Sequence, residues 1–108
     1  MNFKEYEDVA MISAIYNGGD KIVYPALGLG NEAGEVQGKI KKVLRDKGGV
    51  FDADSKVAII DECGDVLWYL AALLKDLDSS LEVAASYNMK KLISRRERGV
   101  IGGSGDNR

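Results

Sequence analysis

The sequence predicts an all-α fold, a bundle of four helices formed by one domain. Apolar residues make up 45% of the 108 residues and there is a single proline, a composition typical of a folded, helical chain. Four segments carry apolar residues at helical spacing, and glycine-rich or polar stretches separate them. This combination excludes a disordered chain.

The first two predicted helices are bounded by capping and turn residues. Asn2 is expected to cap a helix over about residues 3–16, which residues 17–20 end. The second helix is expected to begin near Pro25, because proline is favoured in a first helical turn, and to continue to about Arg45. Three glycines in it cost about 1 kcal/mol each relative to alanine. They indicate close approach by another backbone or by a ligand: Gly28, Gly34 and Gly38.

The third predicted helix, about residues 55–77, is apolar in most directions around its axis. A helix of this kind is normally buried on every side, and one chain of 108 residues can hardly surround it. We therefore expect homo-oligomerisation, as a homodimer or homotetramer, to complete the bundle. Cys63 lies within this pattern and is expected to be a small core residue.

The fourth predicted helix begins at a capping box of Ser79 and Glu82 and runs to about Arg98. Residues 1–98 are expected to form the domain, and residues 99–108 a flexible, glycine-rich tail. Basic residues concentrate in and after this helix, whereas the rest of the chain is acidic. That distribution suits a polyphosphate ligand, although a solvated helix face would also explain it.

The composition excludes several classes of function. Histidine is absent and there is one cysteine, so disulfides and catalysis by Cys–His or Ser–His–Asp are excluded and zinc is disfavoured. The net charge of -2 gives no reason to expect a nucleic acid polymer as partner. The first residues lack a signal-peptide pattern, and the longest uncharged apolar stretch, residues 66–74, is too short to cross a membrane. A cytoplasmic protein without a membrane partner is expected.

Two pairs of carboxylates carry most of the functional information. Glu32 and Glu35 lie one turn apart on the second predicted helix, and Glu62 and Asp65 do so on the third. Two like charges in contact near a protein surface repel by about 4 kcal/mol. If the two helices pack antiparallel, all four acids meet, and oxygen-only ligands select Mg²⁺, Mn²⁺ or Ca²⁺. The alternative is that the acids form salt bridges with lysines or with the arginine-rich helix of a neighbouring chain.

The residues around these acids resemble one protein family. Residues 27–36 (LGLGNEAGEV) and 61–70 (DECGDVLWYL), together with Asn88, Lys91 and Arg95, are similar to MazG-type all-α nucleoside triphosphate pyrophosphohydrolases. The resemblance covers most of the chain and implies a MazG-like bundle of four helices. The glycine-rich ending is also similar to the tail of small MazG-like members.

The resemblance implies a reaction and a cofactor. The substrate would be a (deoxy)nucleoside triphosphate, the products the monophosphate and pyrophosphate, and the role nucleotide-pool cleansing. Mg²⁺, with Mn²⁺ as the alternative, would be held by Glu32, Glu35, Glu62 and Asp65. Because there is no histidine, the general base is expected to be a carboxylate, either Glu32 or Glu35.

Further residues are assigned to the substrate. The resemblance implies phosphate contacts from Asn88, Lys91 and Arg95, and the last two are four residues apart on one helix face. It also makes Tyr69 a candidate for stacking on the base, whereas Trp68 is assigned to core packing. Two alternatives stay open: a phosphoribosyl-ATP pyrophosphohydrolase of the same superfamily, and a non-catalytic helical dimer that binds nucleotide or a partner protein.

Overall fold

The computed structural model describes residues 1–108 and contains helices and no strands. Its four α-helices are α1 (Phe3–Ala10), α2 (Val23–Asp46), α3 (Ala53–Asp76) and α4 (Leu81–Glu97). Two short 3-10 segments, Met11–Ser13 and Gly18–Asp20, lie between α1 and α2. The prediction of an all-α fold with four helices is therefore confirmed. None of the helices has both the length and the apolar character that a membrane crossing requires.

The two longest helices, α2 and α3, pack along each other as an antiparallel hairpin that dominates the tertiary contacts. Asp52 closes the loop between them, because its carboxylate accepts from the Ser55 backbone N–H at 2.8 Å. The Lys47 ammonium lies 3.1 Å from the same carboxylate. The Ser55 N–H, followed by Lys47, lowers the pKa of Asp52 to about 2. This N-cap fixes where α3 begins.

The first helix is shorter than predicted. Asn2 caps it as expected, accepting from the Glu5 N–H at 2.8 Å, but regular α-helix ends at Ala10 rather than near residue 16. The Trp68 indole N–H donates to the Ala10 carbonyl at 3.0 Å. The Ala14 N–H, which would bond to Ala10 in a continued α-helix, donates to the Met11 carbonyl. The Ser13 hydroxyl also donates to the Ala10 carbonyl, at 2.7 Å, so two side chains occupy an acceptor that a longer helix would need.

The predicted capping box at the start of the fourth helix is wrong by one residue. Ser80 is the N-cap, and its hydroxyl accepts from the Val83 N–H at 3.2 Å. Ser79 belongs to the preceding turn, because its N–H donates to the Leu74 carbonyl at 2.8 Å. Asp78, with φ of 55°, makes that turn possible.

A single chain leaves much apolar surface in contact with solvent. Only 7 of the 108 residues are buried, and on α3 Val57 is 59% and Ile60 66% exposed. The accessible surface of 7709 Å² exceeds the roughly 5,900 Å² expected of a compact monomer with a mass of 11.7 kDa. The radius of gyration, 16.9 Å, likewise exceeds the roughly 13 Å typical of this chain length. These values favour completion of the bundle by further copies of the chain, which stays a prediction.

Cys63 lies on the exposed side of α3. The prediction that it is a core residue is therefore wrong for the single chain. The physical reason is that α3 packs mainly against one neighbour, α2, so much of its circumference is left uncovered. The apolar pattern around the helix correctly suggested burial only for the side that faces α2.

Candidate functional site

Three carboxylates from α2 and α3 converge on the hairpin. One oxygen from each of Glu32, Glu62 and Asp65 lies within 4.8 Å of the others. Glu32 and Glu62 are half-buried, and Asp65 is exposed. The pKa of Glu32 is raised, first by loss of solvent and then by the negative charges of its acidic neighbours. The hairpin therefore brings three of the four predicted metal ligands together.

This group of oxygens fits a hard divalent cation. Carboxylate oxygens are the protein ligands that Mg²⁺ and Ca²⁺ prefer, and neither histidine nor cysteine contributes to the group. The protein supplies one cation nearby: the Lys39 ammonium lies 3.8 Å from a Glu62 oxygen, beyond hydrogen-bonding distance. Loss of solvent is the first cause of the raised pKa of Glu32, and the charges of its acidic neighbours add to it. Binding a divalent ion would remove that repulsion.

Glu35 lies outside the group of three. It is exposed on α2, one turn beyond Glu32, and its charge is the smallest of the contributions that raise the pKa of Glu32. Its assignments as a metal ligand and as a candidate general base stay predictions. The structure does separate it from Glu32, because the two differ in burial and in distance from the acids of α3.

A cleft of about 340 Å³ opens beside the acid cluster, lined by Glu32, Asp65, Trp68 and Tyr69. The Tyr69 ring packs directly on the backbone of α2 at Gly28. The pKa of Tyr69 is raised, first by burial, then by Tyr24, and further by the Glu32 and Asp65 charges. The candidate base-stacking residue thus lies next to the carboxylates, as its position one turn after Asp65 suggests.

Trp68 has two roles in the structure. Its indole N–H donates to the Ala10 carbonyl and to the Ser13 hydroxyl, each at 3.0 Å, which ties the N-terminal segment to α3. Its ring also lines the cleft and meets Tyr69 edge-on, with centroids 4.9 Å apart. The assignment of Trp68 to packing alone is therefore incomplete.

Sequence reasoning missed two aromatic residues that extend this row. Tyr16 and Tyr24 stack with centroids 4.9 Å apart, and Tyr24 lies 6.3 Å from Tyr69. The Tyr16 hydroxyl donates to Asp76 at 2.7 Å, and burial followed by this bond raises the pKa of Tyr16 to about 12. The same Asp76 oxygen accepts from the Ile22 N–H at 3.0 Å. Ile22 has φ of 69°, a region that β-branched residues rarely adopt.

The predicted phosphate-binding residues of α4 lie against the C-terminal tail. The Lys91 ammonium is 3.5 Å and an Arg95 guanidinium nitrogen 3.4 Å from the same Asp106 carboxylate oxygen. Arg95 is buried, and its Nε has no hydrogen-bond partner. Asn88 is exposed. No ion pair joins these residues to the acid cluster within one chain.

The tail folds around its last side chain. The Arg108 guanidinium donates to four backbone carbonyls, those of Val100, Ile101, Gly102 and Gly105. Lys91, followed by Arg95, lowers the pKa of Asp106. The Asp106 side chain is nevertheless 85% exposed, so these ion pairs are open to water. Whether residues 99–108 are flexible in solution stays a prediction.

An all-α hairpin that gathers carboxylates beside an aromatic cleft places the chain among helical proteins with an acidic centre. Residues 26–100 match the family model of the MazG nucleotide pyrophosphohydrolase domain. The chain belongs to this family, and the resemblance seen in the sequence is confirmed. It is also 43% identical over 114 residues, covering all of both chains, to the Gene 37 protein of Mycobacterium phage L5. No solved structure matches the chain.

Proposed function

We propose that this protein hydrolyses a (deoxy)nucleoside triphosphate to the monophosphate and pyrophosphate in a Mg²⁺-dependent reaction. The observation that carries the proposal is the convergence of Glu32, Glu62 and Asp65 beside a cleft walled by Tyr69. Membership of the MazG family supports nucleotide pyrophosphohydrolase activity as the general class. Cleansing of the nucleotide pool is the role that we propose for it.

The metal would be held by Glu32, Glu62 and Asp65, with Glu35 as the fourth candidate ligand. When bound, Mg²⁺ or Mn²⁺ would polarise phosphate oxygens, acidify a water and neutralise charge on the leaving pyrophosphate. The protein's part is to hold the carboxylates close together before the cation arrives. Two long helices packed side by side do this without any contribution from a loop.

We assign the general base to Glu35. Its carboxylate is exposed and lies outside the group of three, so it is available to accept a proton from the attacking water. The water oxygen forms a bond to phosphorus while the bond to the pyrophosphate oxygen breaks. Glu35 then releases its proton to solvent. The stated products require cleavage between the α- and β-phosphorus atoms.

The phosphates would be bound by Lys91 and Arg95, with Asn88 as an additional hydrogen-bond donor. The unpartnered Nε of buried Arg95 supports this assignment, because guanidinium groups bind phosphate oxygens through several N–H donors. Asp106 pairs with Lys91 and Arg95 in the structure, so its carboxylate would have to move away from both side chains before the substrate could bind them. Tyr69 would stack on the base from the wall of the cleft.

We also propose that the protein is a homodimer or homotetramer, supported by the exposed apolar side chains of α3 and by the large accessible surface. Light scattering coupled to size-exclusion chromatography measures the mass directly. A value of two or four times 11.7 kDa is expected. A monomer at micromolar concentration would contradict the proposal.

Product chromatography with a substrate panel tests the proposed reaction. The panel contains the standard ribo- and deoxyribonucleoside triphosphates, damaged triphosphates and phosphoribosyl-ATP, each with Mg²⁺ and with a chelator. Release of pyrophosphate and monophosphate only with the metal is expected. Hydrolysis confined to phosphoribosyl-ATP would favour that alternative, and nucleotide binding without hydrolysis would favour a non-catalytic helical dimer.

A further inference from the structure

Gly28 differs from the other glycines within the long helices. A Cβ added at Gly28 would lie 2.1 Å from Tyr69 Cε1, 2.4 Å from Cδ1 and 2.5 Å from Cζ. At Gly30, Gly34, Gly38 and Gly64 an added Cβ would meet nothing within 4 Å. Each helical glycine weakens its helix by about 1 kcal/mol relative to alanine. At position 28 the Tyr69 ring leaves no room for a side chain, whereas nothing within one chain excludes a side chain at the other four positions.

Tyr69 cannot easily yield to such a Cβ. All three of the nearest atoms belong to its ring, and a ring displaces as a rigid body. The Trp68 ring meets the Tyr69 ring edge-on, with centroids 4.9 Å apart. The centroid of the Tyr24 ring, on α2, lies 6.3 Å from that of Tyr69. The ring also borders the open cleft of about 340 Å³ that it shares with Glu32 and Asp65.

We propose that Gly28 is a positioning residue that sets the width of the nucleotide cleft by letting the Tyr69 ring lie flat against α2. An alanine at position 28 would push the ring into the cleft and narrow the space beside the acid cluster. A purine needs more of that space than a pyrimidine, so Gly28 determines how well large bases are accepted. The inference rests on the proposed function, because it takes Tyr69 as the wall against which the base stacks.

The first arm of the test needs no enzyme activity. Trp68 is the only tryptophan and touches Tyr69, so its fluorescence reports the position of that ring. Gly28→Ala should change the emission spectrum, whereas Gly30→Ala, the matched control with open space around it, should leave it unchanged. In a Tyr69→Leu background, Gly28→Ala should cause no further change. Equal spectra for the two alanine variants would overturn the inference.

The second arm measures substrate selectivity with dATP and dCTP in the presence of Mg²⁺. Gly28→Ala should raise KM for dATP about tenfold, equivalent to about 1.4 kcal/mol, with a smaller rise for dCTP and an unchanged kcat. Gly30→Ala should leave both KM values unchanged. Equal KM values for the two variants would overturn the inference even if the emission spectra differ, because the contact would then not reach the substrate.

The two proposals can fail separately. If the wild type hydrolyses neither nucleotide, the proposed function fails, and quenching of Trp68 by dATP and dCTP replaces KM as the measure of binding. A loss of dATP affinity in Gly28→Ala but not in Gly30→Ala would still support the positioning role. Unchanged affinity, or the absence of any binding to the wild type, would overturn it.

Discussion

The two charged regions of this chain are built in opposite ways. In the α2–α3 hairpin, Glu32, Glu62 and Asp65 are held within 4.8 Å of one another, with a single lysine at 3.8 Å. At the end of α4, by contrast, Lys91 and Arg95 share the Asp106 carboxylate. The acidic region keeps its repulsion and the basic region is already paired. A cation from outside would relieve the repulsion in the first region, whereas an anion could bind the second only in place of an internal partner.

The comparison also concerns rigidity. The acid cluster depends on two 24-residue helices that pack along their length. The pairing of Asp106 depends on a ten-residue tail whose turns need positive φ at Gly99, Gly103 and Gly105. Solvent weakens the pairs of the 85% exposed Asp106 carboxylate, but the buried Arg95 guanidinium also donates to the Asp106 main-chain carbonyl at 2.8 Å, so a phosphate would have to replace both contacts. In the proposed function, the acid cluster would be a fixed metal site and Asp106 an exchangeable partner of the phosphate-binding residues.

The largest effect is expected from loss of the general base. Glu35→Gln should lower kcat by about 10²–10⁴-fold with little change in KM, because the amide cannot accept the proton of the attacking water. Steady-state pyrophosphate release with saturating Mg²⁺ measures it. Asp61→Asn, a substitution of an exposed acid on α3 outside the cluster, is the control and should retain activity. Comparable kcat values in the two variants would remove Glu35 from the mechanism.

Weakening of the metal centre comes next. Asp65→Asn should raise the Mg²⁺ concentration needed for half-maximal activity by about tenfold, because one proposed carboxylate ligand is lost. Mg²⁺ should also raise the melting temperature of the wild type, since the ion binds only the folded chain, and should do so less in the variant. An identical shift in both proteins would mean that Asp65 does not bind the metal.

A smaller effect is expected at the tail. Asp106→Asn should lower KM for the triphosphate about two- to fivefold, as expected for removal of an exposed ionic partner from Lys91 and Arg95. Glu97→Gln, an exposed acid of α4 without an ion pair, should not change KM. Raised KM in Asp106→Asn would show instead that the tail carboxylate assists binding.

The smallest effect concerns the loop that joins α2 and α3. The pKa of Asp52 is about 2 in the folded chain, below its ordinary value of 3.8. Its stabilising effect is therefore complete above about pH 4 and is lost as the pH falls towards 2. Asp52→Asn keeps an N-cap that does not titrate, so its melting temperature should fall less over that interval than that of the wild type. Parallel curves from calorimetry would contradict this account.

The fold was predictable where local chemistry decides it. Caps, turn residues and apolar spacing located α2 and α3 to within about two residues of their bounds. The early end of α1 was only partly predictable, because the Ala10 carbonyl accepts both from the nearby Ser13 hydroxyl and from Trp68, 58 residues away. The exposure of Cys63 was missed for a related reason: an apolar pattern shows which faces can be buried, but not whether a neighbour covers each of them.

The candidate site was predictable in part. The spacing of one helical turn correctly placed two acids on each helix. The expected antiparallel packing brings three of the four together, namely Glu32, Glu62 and Asp65. The separate position of Glu35 depends on the rotation of α2 about its axis, which packing rather than sequence decides. The contacts of Tyr16 and Ile22 with Asp76 span 60 and 54 residues, and no local pattern predicts them.

The hydrogen bonds of Asp76 bear on the order in which parts of the chain unfold. One oxygen of this side chain holds both the Tyr16 hydroxyl and the Ile22 N–H, and Ile22 adopts a backbone conformation that costs about 1–3 kcal/mol. Released from that acceptor, residues 14–22 would relax to an ordinary conformation, and α1 would then be held only by the bonds of Trp68 to Ala10 and Ser13 and of the Leu81 N–H to Glu7. Amide protons of α1 should accordingly exchange with deuterium well before those of α2 and α3.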